Sequence, residues 1–266
     1  CELLNTKLPL IAIPMTLSAA EVTPGLGVHV PGGRKLLVLD IKLVPQVILL
    51  DPEANLEVPI AVMATTGMNA FAHCIEGLYS RMRNPISEGL ALQGIRLLSQ
   101  VLPAMVAESA SVEARARALI DAHLSGMVIA NRRVGIHLAV SPCLGAFGGL
   151  PHGVANSIFL PHAMRFNAEV AAPQLKLAAL AMGLDVMHVS PQEAAQRAIE
   201  ATERLQEAVR VPRRLRDTDL QREQLPEIAQ QAMGDRGLYF NPRRAPNAQA
   251  CSSFSSKPGD DSRPRE

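Results

Sequence analysis

Aromatic residues are scarce in this chain, and tryptophan is absent. Phe, Trp and Tyr together make up 3% of the 266 residues, whereas hydrophobic residues as a whole make up 48%. A core therefore has to be built mainly from Ala, Leu, Val, Ile and Met, a composition that suits closely packed helices. A chain of this length forms one large domain or two small ones.

An excess of charge of one sign is missing as well. The 26 basic and 25 acidic side chains give a net charge of +1, which provides no argument for nucleic acid or an anionic membrane as a partner. The longest apolar runs are shorter than the roughly 18 residues expected of a membrane span. A small-molecule partner and a homodimer both stay open.

The sequence predicts neither paired cysteines nor a leader sequence. The four cysteines show no CxxC spacing and are too few for a disulfide scaffold. No basic segment followed by an apolar segment opens the sequence, so a secretory signal is not expected. These two features favour a reducing, cytoplasmic location.

The chain changes character near residue 58. Before it, apolar runs at 10–13 and 47–50 predict buried strands, and the runs at 28–30 and 35–39 flank a Pro-Gly-Gly turn typical of a hairpin. After it, three- and four-residue apolar spacing predicts helices at 60–81, 85–109, 111–131, 152–160, 174–182, 191–209 and 219–233. The predicted division is an α/β segment at 1–57, a helical domain at 58–242 and a disordered, Ser- and Pro-rich tail at 243–266.

The first motif whose residues could bind a ligand or take part in catalysis runs from Thr65 to Glu76. If it is helical, Asn69 and His73 lie four residues apart and project from one face. An amide and an imidazole at that spacing can hold one ion or one polar group of a substrate. The alternative is a core helix with a single buried, hydrogen-bonded histidine.

The second motif is a Gly-rich stretch that brings His152 to the start of a helix. It follows Gly135-Ile136-His137 and passes through Gly148, Gly149 and Pro151. A helix dipole lowers the pKa of an imidazole at the N-terminus, and a neutral imidazole suits a metal or hydride-transfer site. The alternative is an ordinary loop histidine.

The third motif follows the first predicted strand. Thr16 and Ser18 lie in a turn of small and hydroxyl-bearing residues that ends at Thr23. Such a turn can approach a nucleotide closely, although a plain turn explains the same residues.

Taken together and in this order, the three motifs resemble the iron-containing alcohol dehydrogenase superfamily. The resemblance runs from about residue 8 to about residue 242, and it includes the segments 13–23, 67–76, 144–156 and 160–167. Many members carry a longer Thr- and Gly-rich turn after the strand and an Asp on the metal-binding helix. The short turn at 16–21 and Asn69 in place of that Asp are similar to the maleylacetate reductase branch, whose members need not depend on a metal.

The resemblance implies a fold and a reaction. The fold is a Rossmann-like α/β domain, here only its C-terminal part, followed by an all-α domain, in a dehydroquinate synthase-like architecture. The reaction is hydride transfer between NAD(H) or NADP(H) and a carbonyl or alkene-conjugated substrate in the cleft between the domains. In the maleylacetate branch this step converts maleylacetate to 3-oxoadipate in aromatic compound degradation.

The resemblance also implies roles for single residues. Thr16 and Ser18 would border the cofactor, and His73 and His152 would line the catalytic cleft. His137 would contribute to catalysis only if its backbone shifted.

The expected metal site is degenerate. The family uses one Asp and three His, and these positions correspond to Asn69, His73, Leu138 and His152, while a further family His corresponds to Pro142. An aliphatic side chain cannot coordinate, and an amide binds a divalent cation weakly. Binding of iron or zinc is therefore doubtful, since such sites need roughly three or four protein donors.

Two further departures concern the ends of the chain. The family's Gly-Gly-Gly-Ser loop, which holds the pyrophosphate, is not in this sequence, and its expected place is upstream of Pro14. The tail differs from the helix expected there, which suggests a frameshift or a fragmented gene.

Besides an active oxidoreductase, two hypotheses stay open: an inactive remnant that serves only as a protein-interaction module, and a fragment completed by a separate N-terminal piece.

Overall fold

Short strands form the first part of the fold. The structure is a computed structural model, and it describes residues 8–29, 35–131 and 135–245. Strands β1 (Ile11–Ala12) and β4 (Val47–Ile48) pair in parallel. Strands β2 (Gly25–His29) and β3 (Lys35–Leu39) pair antiparallel, which confirms the predicted hairpin, although its Pro-Gly-Gly turn lies outside the described residues.

The prediction that the strands at 10–13 and 47–50 are buried is wrong. Ile11 is 60% exposed, Val47 44% and Leu49 50%. Parallel sheets are normally covered on both faces. Within the described residues the sheet that contains β1 has two strands, and these aliphatic side chains stay open to solvent.

The rest of the fold is helical, as the apolar spacing predicts. Among the residues that the structure describes, eight α-helices follow the strands: α1 (Pro52–Asn55), α2 (Ile60–Tyr79), α3 (Pro85–Ala107), α4 (Val112–Ala130), α5 (Ile136–Gly148), α6 (His152–Ala181), α7 (Pro191–Ala208) and α8 (Leu225–Ala232). Three helix starts are capped as their sequences indicate: the side chains of Asn84, Ser111 and Ser190 accept hydrogen bonds from the backbone N–H groups of Ser87, Ala114 and Glu193.

Helix α2 is the centre of the core and packs against α3, α4 and α6. Its side chains Met63, Met68, Phe71 and Ile75 are fully buried, and burying each one contributes roughly 1.5–3 kcal/mol. Most of the surrounding core is Ala and Leu, so small side chains bring the helices close together in place of the missing aromatics.

Helices α5 and α6 differ most from the prediction, and α8 begins at Leu225 although a helix from 219 was predicted. Helix α5 occupies a stretch where Gly and Pro had indicated a break, and the break comes only at Gly149, whose φ of 69° ends the helix in the left-handed conformation. Helix α6 continues through the predicted gap between 160 and 174 and is only kinked at Ala171, two residues before Pro173, which cannot donate a backbone hydrogen bond.

Helix α3 is long and apolar enough to cross a bilayer by length and composition alone. In this fold its side chains Leu98 and Leu102 are fully buried in the hydrophobic core, as expected of a core helix. Residues 246–266 lie outside the described part of the chain, so the disordered tail stays a prediction.

Candidate active site

Asn69 and His73 lie on α2, one helical turn apart, and the helix predicted for them is confirmed. Both are buried, with 2% and 5% of their surface exposed. The Oδ1 atom of Asn69 has no hydrogen-bond partner among the described residues. Buried polar atoms are nearly always paired, so this oxygen is a candidate acceptor for a donor from outside the protein.

His152 is the first residue of α6 and is exposed. The next residue, Gly153, lies so close to α2 that an added Cβ atom would come within 2.9 Å of the Thr65 Cβ atom. Glycine is therefore needed at this contact. Because Thr65 is one turn before Asn69, the start of α6 lies beside the part of α2 that carries the first motif.

His137 is fully buried near the start of α5. Its Nε2 atom lies 2.8 Å from the backbone carbonyl oxygen of Asn156, and since a carbonyl can only accept, Nε2 carries the proton. Burial lowers the pKa of His137 to about 4; the bond to Asn156 opposes this shift, and the nearby His152 adds to it. The ring is therefore neutral near pH 7, and its Nδ1 atom has no partner among the described residues.

Thr16 and Ser18 line an open cavity of about 390 Å³. The Thr16 hydroxyl donates to the Ser18 hydroxyl at 3.3 Å. The turn between them is attached to the helical part, because the backbone N–H of Leu17 donates to the Thr66 hydroxyl at 3.2 Å. Thr66 and its neighbour Thr65 therefore connect the cavity turn and the start of α6 to the same segment of α2.

Sequence reasoning missed two acidic residues. Glu21 lines the cavity, and its carboxylate lies 3.4 Å from the Nδ1 atom of His123. Glu76, on α2, is fully buried and accepts hydrogen bonds from backbone N–H groups at the start of α5. The signal for Glu76 was its position: it is one turn beyond His73 on a helix whose other residues are mostly apolar.

Comparison with known proteins shows the family of the chain. The sequence pattern of the Fe-containing alcohol dehydrogenase family, C-terminal, matches residues 63–256. The chain belongs to the iron-containing alcohol dehydrogenase family. Its fold is that of this family, with part of a Rossmann-like α/β domain followed by an all-α domain, as the resemblance implied.

Relatives in this family act on several small molecules. A 1,3-propanediol dehydrogenase of Klebsiella pneumoniae is 32% identical over 95% of this chain and 66% of its own length. Maleylacetate reductase 1 of Cupriavidus pinatubonensis is 36% identical over 65% of this chain and 49% of its own length. A crystal structure of sulfoacetaldehyde reductase from Bifidobacterium kashiwanohense in complex with NAD+ is 25% identical, with a TM-score of 0.82, over 93% of this chain and 64% of that one. This chain therefore spans at most 66% of the length of these three proteins.

The residues of this iron-containing alcohol dehydrogenase family member do not fit the iron that the family name implies. Among the described residues no group of three or more His, Cys, Asp and Glu side chains could hold a metal ion. Asn69 offers a neutral oxygen, and the half-buried Leu138 offers no donor. Two imidazoles and one amide are too weak a set for iron or zinc.

Proposed function

We propose that this chain binds a nicotinamide dinucleotide beside Thr16 and Ser18 and transfers hydride to or from a carbonyl, alcohol or maleylacetate-type substrate beside His73 and His152. The observation that carries the proposal is the shared attachment to α2. Leu17 of the cavity turn bonds to Thr66, and Gly153 of the α6 start contacts Thr65. Cofactor and substrate bound at these two places would approach each other across one helix.

The cavity has the chemistry that part of a dinucleotide needs. Its hydroxyl groups can donate to phosphate or ribose oxygens, and its small residues allow close backbone approach. NAD(H) or NADP(H) would supply or accept the hydride. The NAD+ in the sulfoacetaldehyde reductase structure supports a nicotinamide cofactor for this fold.

His73 and His152 would line the substrate site without a metal. The exposed His152 at the start of α6 can donate a hydrogen bond from its ring to a substrate carbonyl, which favours charge development on that oxygen. The buried Asn69 Oδ1 atom can accept a hydrogen bond from a substrate hydroxyl. His137 is fully buried, so we assign it an indirect role.

The proposed substrate class rests on the relatives of this chain and on the amide side chain of Asn69. The maleylacetate reductase and the propanediol dehydrogenase are both similar to this chain. An amide in place of an acidic ligand favours the metal-independent type, so maleylacetate and its relatives are the first substrates to test. The cytoplasmic location stays a prediction.

A direct assay tests the proposal. The purified chain is mixed with NADH and maleylacetate, or with a short aldehyde, with and without added ferrous or zinc ion, and NADH absorbance is followed. We expect turnover that metal does not increase. No turnover, together with no NADH binding in a fluorescence titration, would contradict the proposal.

Substitutions locate the site. His152→Ala should reduce kcat/KM by roughly 100-fold or more, as loss of a positioned proton donor does, with little change in the unfolding midpoint. His73→Ala should also reduce kcat/KM, and because His73 is buried it should lower the unfolding midpoint as well. His188→Ala, at an exposed histidine, is the matched control and should keep wild-type activity. Normal turnover in both site variants would exclude this location.

A specific observation also favours the second candidate, a protein-interaction module. Leu8, Ile11 and Ile13 are 84%, 60% and 52% exposed, and clustered exposed aliphatic side chains mark association surfaces. Sedimentation of the wild type and of Ile11→Thr tests this role, with Ile86→Thr as a control at an exposed position on α3. Loss of self-association in Ile11→Thr alone, without NADH turnover in the wild type, would favour the module.

A further inference from the structure

The start of α5 is held by a buried carboxylate from another helix. The Glu76 side chain on α2 accepts hydrogen bonds from the backbone N–H groups of Gly135 at 3.0 Å, His137 at 3.0 Å and Leu138 at 3.2 Å. The first N–H groups of a helix have no partner within the helix. One side chain therefore satisfies three of the four backbone donors at 135–138.

The remaining donor belongs to a second buried side chain. The N–H of Ile136 donates to Asn241 Oδ1 at 3.2 Å, and Asn241 and Asn167 exchange two amide hydrogen bonds at 3.0 and 2.8 Å. Glu76 and Asn241 leave no room at Gly135, where an added Cβ atom would lie 2.5 Å from the Asn241 Oδ1 atom. The first turn of α5 is thus fixed in position relative to α2 and α6.

This fixed turn determines where the imidazole of His137 lies. The His137 Nε2 atom donates to the Asn156 carbonyl, and the Asn156 side-chain amide in turn donates to the His152 carbonyl at 2.9 Å. A hydrogen-bonded connection therefore leads from Glu76 through the backbone and ring of His137 to the first turn of α6. Through Asn156 this path reaches the backbone of His152, the exposed histidine of the proposed site.

We infer that Glu76 is a positioning residue: through the backbone of α5 it holds His137 in a single tautomer against Asn156 and thereby orients His152. The inference rests on the proposed function for its effect on turnover, but its effect on His137 can be measured without turnover. A carboxylate suits this role because its two oxygens can accept all three N–H groups, whereas a glutamine has one acceptor oxygen and an NH₂ group that faces the backbone donors.

The experiment compares Glu76→Gln with Glu108→Gln, the same change at an exposed glutamate. At pH 7.5, imidazole ¹⁵N spectra of the wild type should show His137 with a protonated Nε2 and an unprotonated Nδ1. In Glu76→Gln we expect averaged nitrogen shifts for His137 and unchanged shifts for His123 and His188. Glu108→Gln should reproduce the wild-type spectrum.

Turnover provides a second readout. Glu76→Gln should lower kcat by roughly tenfold to a hundredfold, as small misplacements of a site do, with KM for NADH unchanged because the cavity turn is attached at Thr66 instead. If Glu76→Gln does not fold, the milder Glu76→Asp should show faster amide exchange at Gly135, His137 and Leu138, and unchanged exchange in α7.

The outcomes separate the two proposals. Shifted His137 signals without turnover in the wild type would support the positioning role and contradict the proposed function. Wild-type His137 signals in Glu76→Gln, or wild-type amide exchange in a folded Glu76→Asp, would overturn the positioning role whatever the activity.

Discussion

The Nε2 atom of His137 donates a hydrogen bond to the backbone carbonyl of Asn156 at 2.8 Å. This contact joins the first turn of α5 to the first turn of α6 within a fully buried environment. Because the ring is neutral and cannot easily take a second proton there, the burial of His137 makes stability depend on acidity.

Acidification should destabilise the protein through His137. Its pKa is lowered from 6.5 to about 4, so the unfolded chain binds the proton more tightly than the folded one. The free energy of unfolding is unaffected by this group above pH 6.5. It falls by on the order of 3 kcal/mol in total as the pH falls towards 4. Urea unfolding at pH 7 and 4.5 measures it, and His137→Gln should reduce the difference between the two values. An unchanged difference in this variant would contradict the assignment.

Asp121 should make the protein less stable as the pH rises, which is the opposite of the effect of His137. Burial on α4 raises its pKa to about 6 despite the opposing charges of Arg117 and Arg96. The folded protein therefore holds this proton more tightly, and the stabilisation present below pH 3.8 is lost as the pH rises through 6. Asp121→Asn should raise the unfolding free energy at pH 8, by on the order of 1 kcal/mol after solvent screening. The exposed Asp219→Asn is the control, and an equal gain in both variants would show that burial is not the cause.

Two substitutions should create a metal site beside His73 and His152. Asn69→Asp with Leu138→His restores the one-Asp, three-His set together with His73 and His152. The double variant should bind Zn²⁺ at least about 100-fold more tightly than the wild type, since loss of outer-sphere partners alone costs 10- to 100-fold. Equilibrium dialysis with metal analysis measures this, and Leu177→His, at a position 43% exposed on α6, is the control. Equally tight zinc binding by the wild type would show that its own residues suffice.

Gly135 and Gly89 should respond in opposite ways to alanine. At Gly135 the added Cβ atom meets Asn241 Oδ1 at 2.5 Å and Glu76 Oε1 at 3.1 Å, so Gly135→Ala should cost about 1–3 kcal/mol through overpacking. At Gly89 on α3 nothing lies within 4 Å of the added atom, so Gly89→Ala should stabilise by about 0.5–1 kcal/mol. Thermal unfolding distinguishes the two, and a neutral Gly135→Ala would mean that the start of α5 is loosely packed.

Much of the local structure could be predicted because it depends on neighbours in the sequence. The periodicity of α2, α3 and α7 and the capping residues Asn84, Ser111 and Ser190 act within one or two helical turns. Helix α5 could not be predicted in this way. Its Gly and Pro residues oppose a helix locally, and the helix is stabilised by distant acceptors, Glu76 and Asn241.

The sequence by itself determined the family, the helical character after residue 58, and the side chains present at the positions of the metal ligands. An amide at Asn69 and an aliphatic group at Leu138 follow from the chain alone. Only the tertiary structure decided that His137 is buried and bound to Asn156, that Thr65 and Thr66 connect the cavity to the start of α6, and that Glu76 holds α5. These relationships join residues far apart in the chain, and packing between helices, which no local spacing encodes, brings them together.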